Sequence, residues 1–231
     1  MTATAVPLTW YDRAVLLEPS KTLVLADVHL GRGAESRVEA PLDRVGDTLE
    51  RFEHLLERAA PETVVVAGDL LHAFDRVPPG VRADARTLAA AVAEAGASLV
   101  VTPGNHDGHL ETVLEGDHHS THTTSGDVLI THGHEDPHDV GRLTVVGHHH
   151  PAIRIEGRKR PCFLYGESVY RGSDVLALPA FSRLARGTSV HRLPRSGSCP
   201  PPIRRAGQLQ PVVVDGDPLW FPPLAECAHL L

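Results

Sequence analysis

Five runs rich in β-branched and aliphatic residues stand out along the chain, at residues 22–26, 63–67, 98–102, 128–130 and 143–146. Continuous apolar runs of this length predict strands buried on both faces. Between the first two, Leu42, Val45, Leu49, Phe52, Leu55 and Leu56 recur with helical spacing over residues 41–60, and Pro61 closes the segment. Residues 82–95 repeat the device, with Ala and Leu on one stripe and Gly96 just past the end. Strand, helix, strand, helix, strand over residues 22–102 makes two crossovers, hence a parallel sheet. A short strand and turn are expected at residues 8–20. Beyond Gly104 the strands shorten. Residues 108–126 read as loop with exposed His118, His119 and His122, and residues 151–193 alternate as further strands. Residues 194–206, rich in Pro, Ser and Arg, read as a loop, and residues 210–221 as a hairpin about Asp215-Gly216.

Each apolar run ends in residues that bind metals. The islands are Asp27-Val28-His29, Gly68-Asp69, Gly104-Asn105-His106-Asp107, Thr131-His132-Gly133-His134 and Gly147-His148-His149-His150. Strand ends of an open α/β sheet are where such folds build their sites. Carboxylates mixed with imidazoles and one amide suit Mn²⁺, Fe or Zn²⁺ better than Ca²⁺ or a thiolate zinc site. Alternation along an extended turn points His149 away from its neighbours, so it is excluded as a ligand. His134 is placed either beside the pocket or in solvent, and His138 on the surface.

Composition narrows the setting. A chain of 231 residues suffices for one large α/β domain or two small ones. No apolar run is long enough to span a bilayer and the N-terminus has no signal-peptide profile, so a cytoplasmic protein with no membrane partner is expected. Three scattered cysteines, Cys162, Cys199 and Cys227, have no pairing pattern and are expected as thiols. The net charge of −7 is uneven: residues 151–231 carry eleven Lys/Arg and six Asp/Glu, whereas residues 1–150 carry eleven and twenty-three. That basic C-terminal third suits either a polyanion or plain solvent.

In this order the islands resemble the signature of calcineurin-like metallophosphoesterases, D-x-H, G-D-x-x-D, G-N-H-D/E, a lone His and G-H-x-H. Ala26-Asp27-Val28-His29-Leu30-Gly31 is similar to the SbcD-type nuclease branch. Gly68-Asp69-Leu70-Leu71-His72-Ala73-Phe74 and Leu178-Pro179-Ala180-Phe181 resemble the smaller ICC-like group, which includes the ligase-associated PdeM phosphoesterases. The likeness runs over residues 8–190. It implies a four-layer α/β/β/α sandwich of two mixed sheets flanked by helices, with residues 1–193 as the catalytic domain. Residues 194–231 would form a loop and hairpin packed on that domain.

The resemblance also implies two divalent ions, Mn²⁺ first, with Fe, Zn²⁺ or Mg²⁺ as alternatives. One would be held by Asp27, His29, Asp69 and His150, the other by Asp69, Asn105, His132 and His148. His106 takes the place of the catalytic histidine, and Asp107 is the candidate to influence its protonation. His72 stands where the signature has its second Asp; Asp75 is a possible substitute. Implied chemistry is direct in-line hydrolysis of a phosphoester without a covalent enzyme intermediate. By branch, the substrate is expected to be a phosphodiester in nucleic acid, single-stranded DNA or RNA, in DNA repair, with a DNA ligase or helicase as partner. The chain itself is expected as monomer or homodimer. A small-molecule phosphatase or nucleotide pyrophosphatase is the alternative enzyme, and a non-catalytic metal-binding scaffold the alternative class.

Overall fold

Side chains on successive strand residues face opposite sides, and here each side has its own core. In the strand Thr22–Leu25, Leu23 and Leu25 pack under the helices while Val24 packs toward a second sheet; in Thr63–Val66, Val64 and Val66 divide from Val65 in the same way. The computed structural model describes residues 4–32, 44–73, 76–116, 118–195 and 201–227.

The first sheet contains β1 (Leu8–Trp10), β2 (Ala14–Leu17), β3 (Thr22–Leu25), β4 (Thr63–Val66) and β5 (Ser98–Val101), in that spatial order. The strands β1, β2 and β3 form an antiparallel meander, whereas β3, β4 and β5 run parallel, with Leu25 opposite Val66 and Val66 opposite Val101. The crossovers are α1 (Arg44–Ala59) and α2 (Val81–Glu94). Phe52, Leu55 and Leu56 of α1, and Val81, Ala85, Leu88 and Val92 of α2, bury their stripes in the outer core of this sheet. Helices are expected at residues 41–60 and 82–95; over the described residues both ends of α2 and the C-terminal end of α1 lie within a residue of those spans, and residues 41–43 lie outside the described residues.

The second sheet has the order β15-β14-β11-β12-β8-β7-β6. Its strands are β6 (Thr121–Thr123), β7 (Val128–Thr131), β8 (Leu143–Val146), β11 (Phe163–Tyr170), β12 (Ser173–Ala177), β14 (Gln210–Asp215) and β15 (Asp217–Trp220). The strands β7, β8 and β12 are parallel, and the others pair antiparallel. A small third sheet joins β9 (Pro151–Ile155), β10 (Arg158–Pro161) and β13 (Thr188–Ser189). Val24, Ala26, Val65 and Ala67 of the first sheet meet Ile130, Val145, Phe163, Tyr165 and Leu176 of the second in a shared inner core.

The molecule is therefore a mixed α/β sandwich of two facing sheets, as expected. Its fourth layer differs in texture from the first. Over the outer face of the second sheet lie 3₁₀ turns at Val190–Arg195, Pro201–Ile203 and Ala206–Gln208 and the one-turn helix Leu224–Cys227. Pro194, Pro201 and Pro202 lack the amide hydrogen that a longer helix uses, which keeps these turns short. Val190, Leu193, Ile203, Ala206 and Leu224 still cover that face. Residues 108–126 are not all loop: they include the one-turn helix Leu110–Val113 and the edge strand β6, which places His122 on a sheet. Cys162 and Cys227 are buried free thiols; Cys199 lies outside the described residues. No helix among the described residues is long and apolar enough to cross a membrane.

Candidate metal centre and active site

The parallel strands of both sheets point their C-terminal ends to one rim. Backbone pairing continues there past the strands: the Asp27 amide donates to Gly68 O (3.0 Å), and the His29 amide to Asp69 O (2.9 Å). Asp27, His29, Asp69, His148 and His150 all adopt left-handed backbone, with φ of 58°, 51°, 52°, 66° and 46°. A non-glycine residue held there costs on the order of 1–3 kcal/mol, and such strain persists where surroundings over-determine it, typically at functional sites. It aims both ends of Asp27-Val28-His29, and both ends of His148-His149-His150, into the same cavity. Gly68 is required for a different reason: at φ 77°, a Cβ there would collide with the His132 ring. A Cβ at Gly104 would collide with the Asp69 carboxylate.

The donor atoms fall into two groups that share Asp69. On one side, His150 Nε2 lies 3.0 Å from Asp27 Oδ1 and 3.4 Å from His29 Nε2, and His29 Nε2 lies 3.8 Å from Asp69 Oδ2. Ligand atoms of Asp27, His29, Asp69 and His150 all lie within 4.8 Å of one another. On the other side, Asp69 presents Oδ1: His132 Nε2 is 3.4 Å from it, 3.2 Å from Asn105 Oδ1 and 3.2 Å from His148 Nδ1. His132 Nδ1 meets the Ala67 carbonyl at 3.1 Å, which fixes the ring so that Nε2 faces the cavity.

Electrostatics fit cations here. Burial and the adjacent Asp27 charge push the Asp69 carboxyl up to about 8. Burial depresses His29 to about 2 and His132 to about 4, and lowers His148, so the imidazoles are neutral donors. Among the described residues no lysine or arginine forms an ion pair with Asp27 or Asp69. A cation bound among these imidazoles would favour the ionised form of the buried carboxylates. Carboxylate oxygens and imidazole nitrogens brought this close could hold divalent metal, and the two groups share Asp69.

His106 lies beside both groups, its Nε2 3.8 Å from Asp69 Oδ2 and its amide donating to Asp69 Oδ1 at 3.0 Å. Burial, with the neighbouring His72, lowers its imidazole to about 4. His72 stacks on it, ring centroids 4.8 Å apart and planes within 18°, and meets His29 edge-on. His29, His72 and His106 also bring three ligand nitrogens within 4.8 Å of one another. Asp75 lies outside the described residues.

Asp107 is near His106 in sequence only. Its buried carboxylate turns onto the backbone and accepts from the amides of Leu71 (2.8 Å), Gly104 (2.9 Å) and Leu70 (3.3 Å). It ties the Asp69 loop to the Asn105 loop. Its hydrogen bonds among the described residues go to these amides, which act on the loop that carries His106. His149 is buried and turned from the donor groups, meeting the His148 ring edge-on at 5.2 Å; burial lowers it to about 3. His134 sits at the pocket edge, 5.1 Å from the His132 ring centroid, and His138 is exposed. Residues 182–187 belong to none of the sequence islands. There the amides of Phe181 and Ser182 donate to Ala26 O and Asp27 O, so Arg183 and Arg186 stand next to the rim. Their spacing just after Leu178-Pro179-Ala180-Phe181 was the available signal.

The whole shape is similar to that of a Pseudomonas putida nuclease MPE, at TM-score 0.65 and 23% identity over 91% of this chain and 92% of that one. A weaker likeness, at TM-score 0.42 and 17% identity, relates 68% of the chain to 77% of Yfce, a phosphoesterase from E. coli. No curated protein matches the sequence. Residues 20–184, which carry every island and both donor groups, match the calcineurin-like phosphoesterases; the chain belongs to that family and is a metal-dependent phosphoesterase.

Proposed function

We propose that the protein is a phosphodiesterase that uses two divalent ions, Mn²⁺ first among them, to cleave nucleic acid, single-stranded DNA or RNA in particular. The observation that carries the two-ion reading is the split of Asp69, whose Oδ1 and Oδ2 face different donor groups. Asp27, His29 and His150 would complete one site; Asn105, His132 and His148 the other. Two ions so placed supply Lewis-acid charge and an activated water. The chain's own residues do the rest. His106 reaches the cavity as a hydrogen-bond donor; an incoming phosphate's negative charge raises its proton affinity, so it can serve the leaving oxygen. Stacked His72 holds that ring in place, and Asp107 braces the loops from which Asp69 and Asn105 project. The nucleic-acid reading draws on the basic C-terminal third and on the nuclease of like fold.

In this proposal the protein acts in cytoplasmic DNA repair, as monomer or homodimer, beside a DNA ligase or helicase. The test is a panel of bis(4-nitrophenyl) phosphate, a phosphomonoester, a dinucleotide pyrophosphate and single-stranded oligonucleotides, each with Mn²⁺, Fe²⁺, Zn²⁺ and Mg²⁺. Cleavage of the oligonucleotides above the monoester and pyrophosphate is expected. A preference for the monoester or the pyrophosphate would replace this reading with the small-molecule one.

A further inference from the structure

A second cavity of about 250 Å³ opens beside His150, and its wall is basic: Arg13, Lys159, Arg183 and Arg186 line it, and among the described residues no carboxylate does. These cations come from three separate segments. Arg13 precedes β2, Lys159 lies in β10, and Arg183 and Arg186 follow Ser182, whose amide donates to Asp27 O. Only the fold brings them together. Two are held in position by neutral oxygens: Arg13 donates to the carbonyls of Ala180 (2.8 Å) and Ser182 (3.2 Å), and Lys159 Nζ to that of Gly187 (2.5 Å). Arg183 is partnered by Asp47 at 2.9 Å, and Asp12 lies 3.5 Å from Arg13. Arg186 is exposed and has no ion pair among the described residues.

The cavity is fixed to the metal centre. The Thr188 amide donates to His150 O at 2.7 Å, and β13 pairs with β9 directly after His150. Its volume lies below the usual range for a whole small-molecule ligand, so it suits one group of a larger substrate. With Asp47 beside Arg183 and Asp12 beside Arg13, the four cations leave a net charge of +2 on a small space, which suits a phosphoryl group.

We propose that this cavity is a phosphate subsite, which takes the phosphate next to the scissile one and so selects substrates carrying at least two phosphates. The proposal rests on the phosphodiesterase reading above and deepens it. Three dinucleotides serve as probes for the Mn²⁺-loaded protein: one with only its internal diester, one with an added 5′-phosphate and one with an added 3′-phosphate. One phosphorylated form should show KM about tenfold below the bare form, the scale of one or two charge-assisted hydrogen bonds. Lys159→Ala with Arg186→Ala should abolish that difference, while turnover of bis(4-nitrophenyl) phosphate stays unchanged. Equal KM for all three probes, or a preference that survives the double substitution, would overturn the subsite and leave the phosphodiesterase reading standing. If none of the three is cleaved, the phosphodiesterase reading fails and the subsite falls with it.

Discussion

Replacing His106 by alanine removes an imidazole that reaches the cavity while leaving both donor groups of the metal centre intact. His106→Ala should therefore retain two metals and fold normally, yet lose about 10²–10⁴-fold in turnover, the range for a positioned acid–base group. A nitrophenyl diester, which needs little protonation, should recover part of the loss. Loss of a metal in this variant would show that His106 is a ligand. Asp69→Asn should weaken both metals together, His29→Ala chiefly one and Asn105→Ala chiefly the other; an unchanged two-metal content in Asp69→Asn would remove the bridge. At this scale the motif residues were legible because strands end where chemistry begins. The direction of Asp107 was not legible, since successive side chains diverge and its amide partners come from two other loops. Nor was the stacking of His72, which depends on how two loops meet.

The crossover helix α1 is held to the first sheet by an aromatic contact: Phe52 is fully buried and meets Phe181 edge-on at 6.3 Å. Phe181 in turn donates its amide to Ala26 O, next to Asp27. Phe52→Ala should cost about 3–5 kcal/mol, as large-to-small changes of buried aromatics do. It should also loosen the 180–187 loop. Chemical denaturation measures the first effect; a destabilisation below about 1 kcal/mol would mean the gap closes by repacking. Elements with a strong period were legible: α1, α2 and the β-branched strands stand where the apolar positions recur. The edge strand β6 was not, because Thr121-His122-Thr123 has no apolar face and is ordered by its pairing with β7. The 3₁₀ turns over the second sheet were hidden for a related reason, having no helical stripe of their own.

Each proposed ion draws ligands from both sheets, Asp27, His29, Asp69 and Asn105 from the first and His132, His148 and His150 from the second. Its removal should loosen the whole sandwich, and pH should modulate the effect. In the metal-free chain His29, His106, His132 and His149 are depressed below their ordinary 6.5, so the unfolded state binds more protons. Their contribution is present above about pH 6.5 and is lost as pH falls through the folded values. Asp69 runs the other way: raised to about 8, its contribution is full below the unfolded 3.8 and lost as pH rises through 8. Mn²⁺ favours the ionised carboxylate, so its stabilising effect should grow between pH 6 and pH 8. Melting temperatures of chelated and Mn²⁺-loaded protein across that interval decide it, and a gap independent of pH would contradict the assignment of Asp69.

The order of the strands has a consequence for biosynthesis. The strands of the first sheet lie within residues 8–101 and those of the second within residues 121–220, and among the described residues no strand is exchanged between them. On the ribosome the first sheet is complete while Val24, Val65 and their neighbours still lack the residues that cover them. At about 5–20 residues per second, the stretch from β5 to β12 takes on the order of ten seconds to emerge. At the start of that interval the nascent chain presents a bare aliphatic face with Asp27 and Asp69 at its rim, and the second sheet's histidines join it only as β7 and β8 emerge.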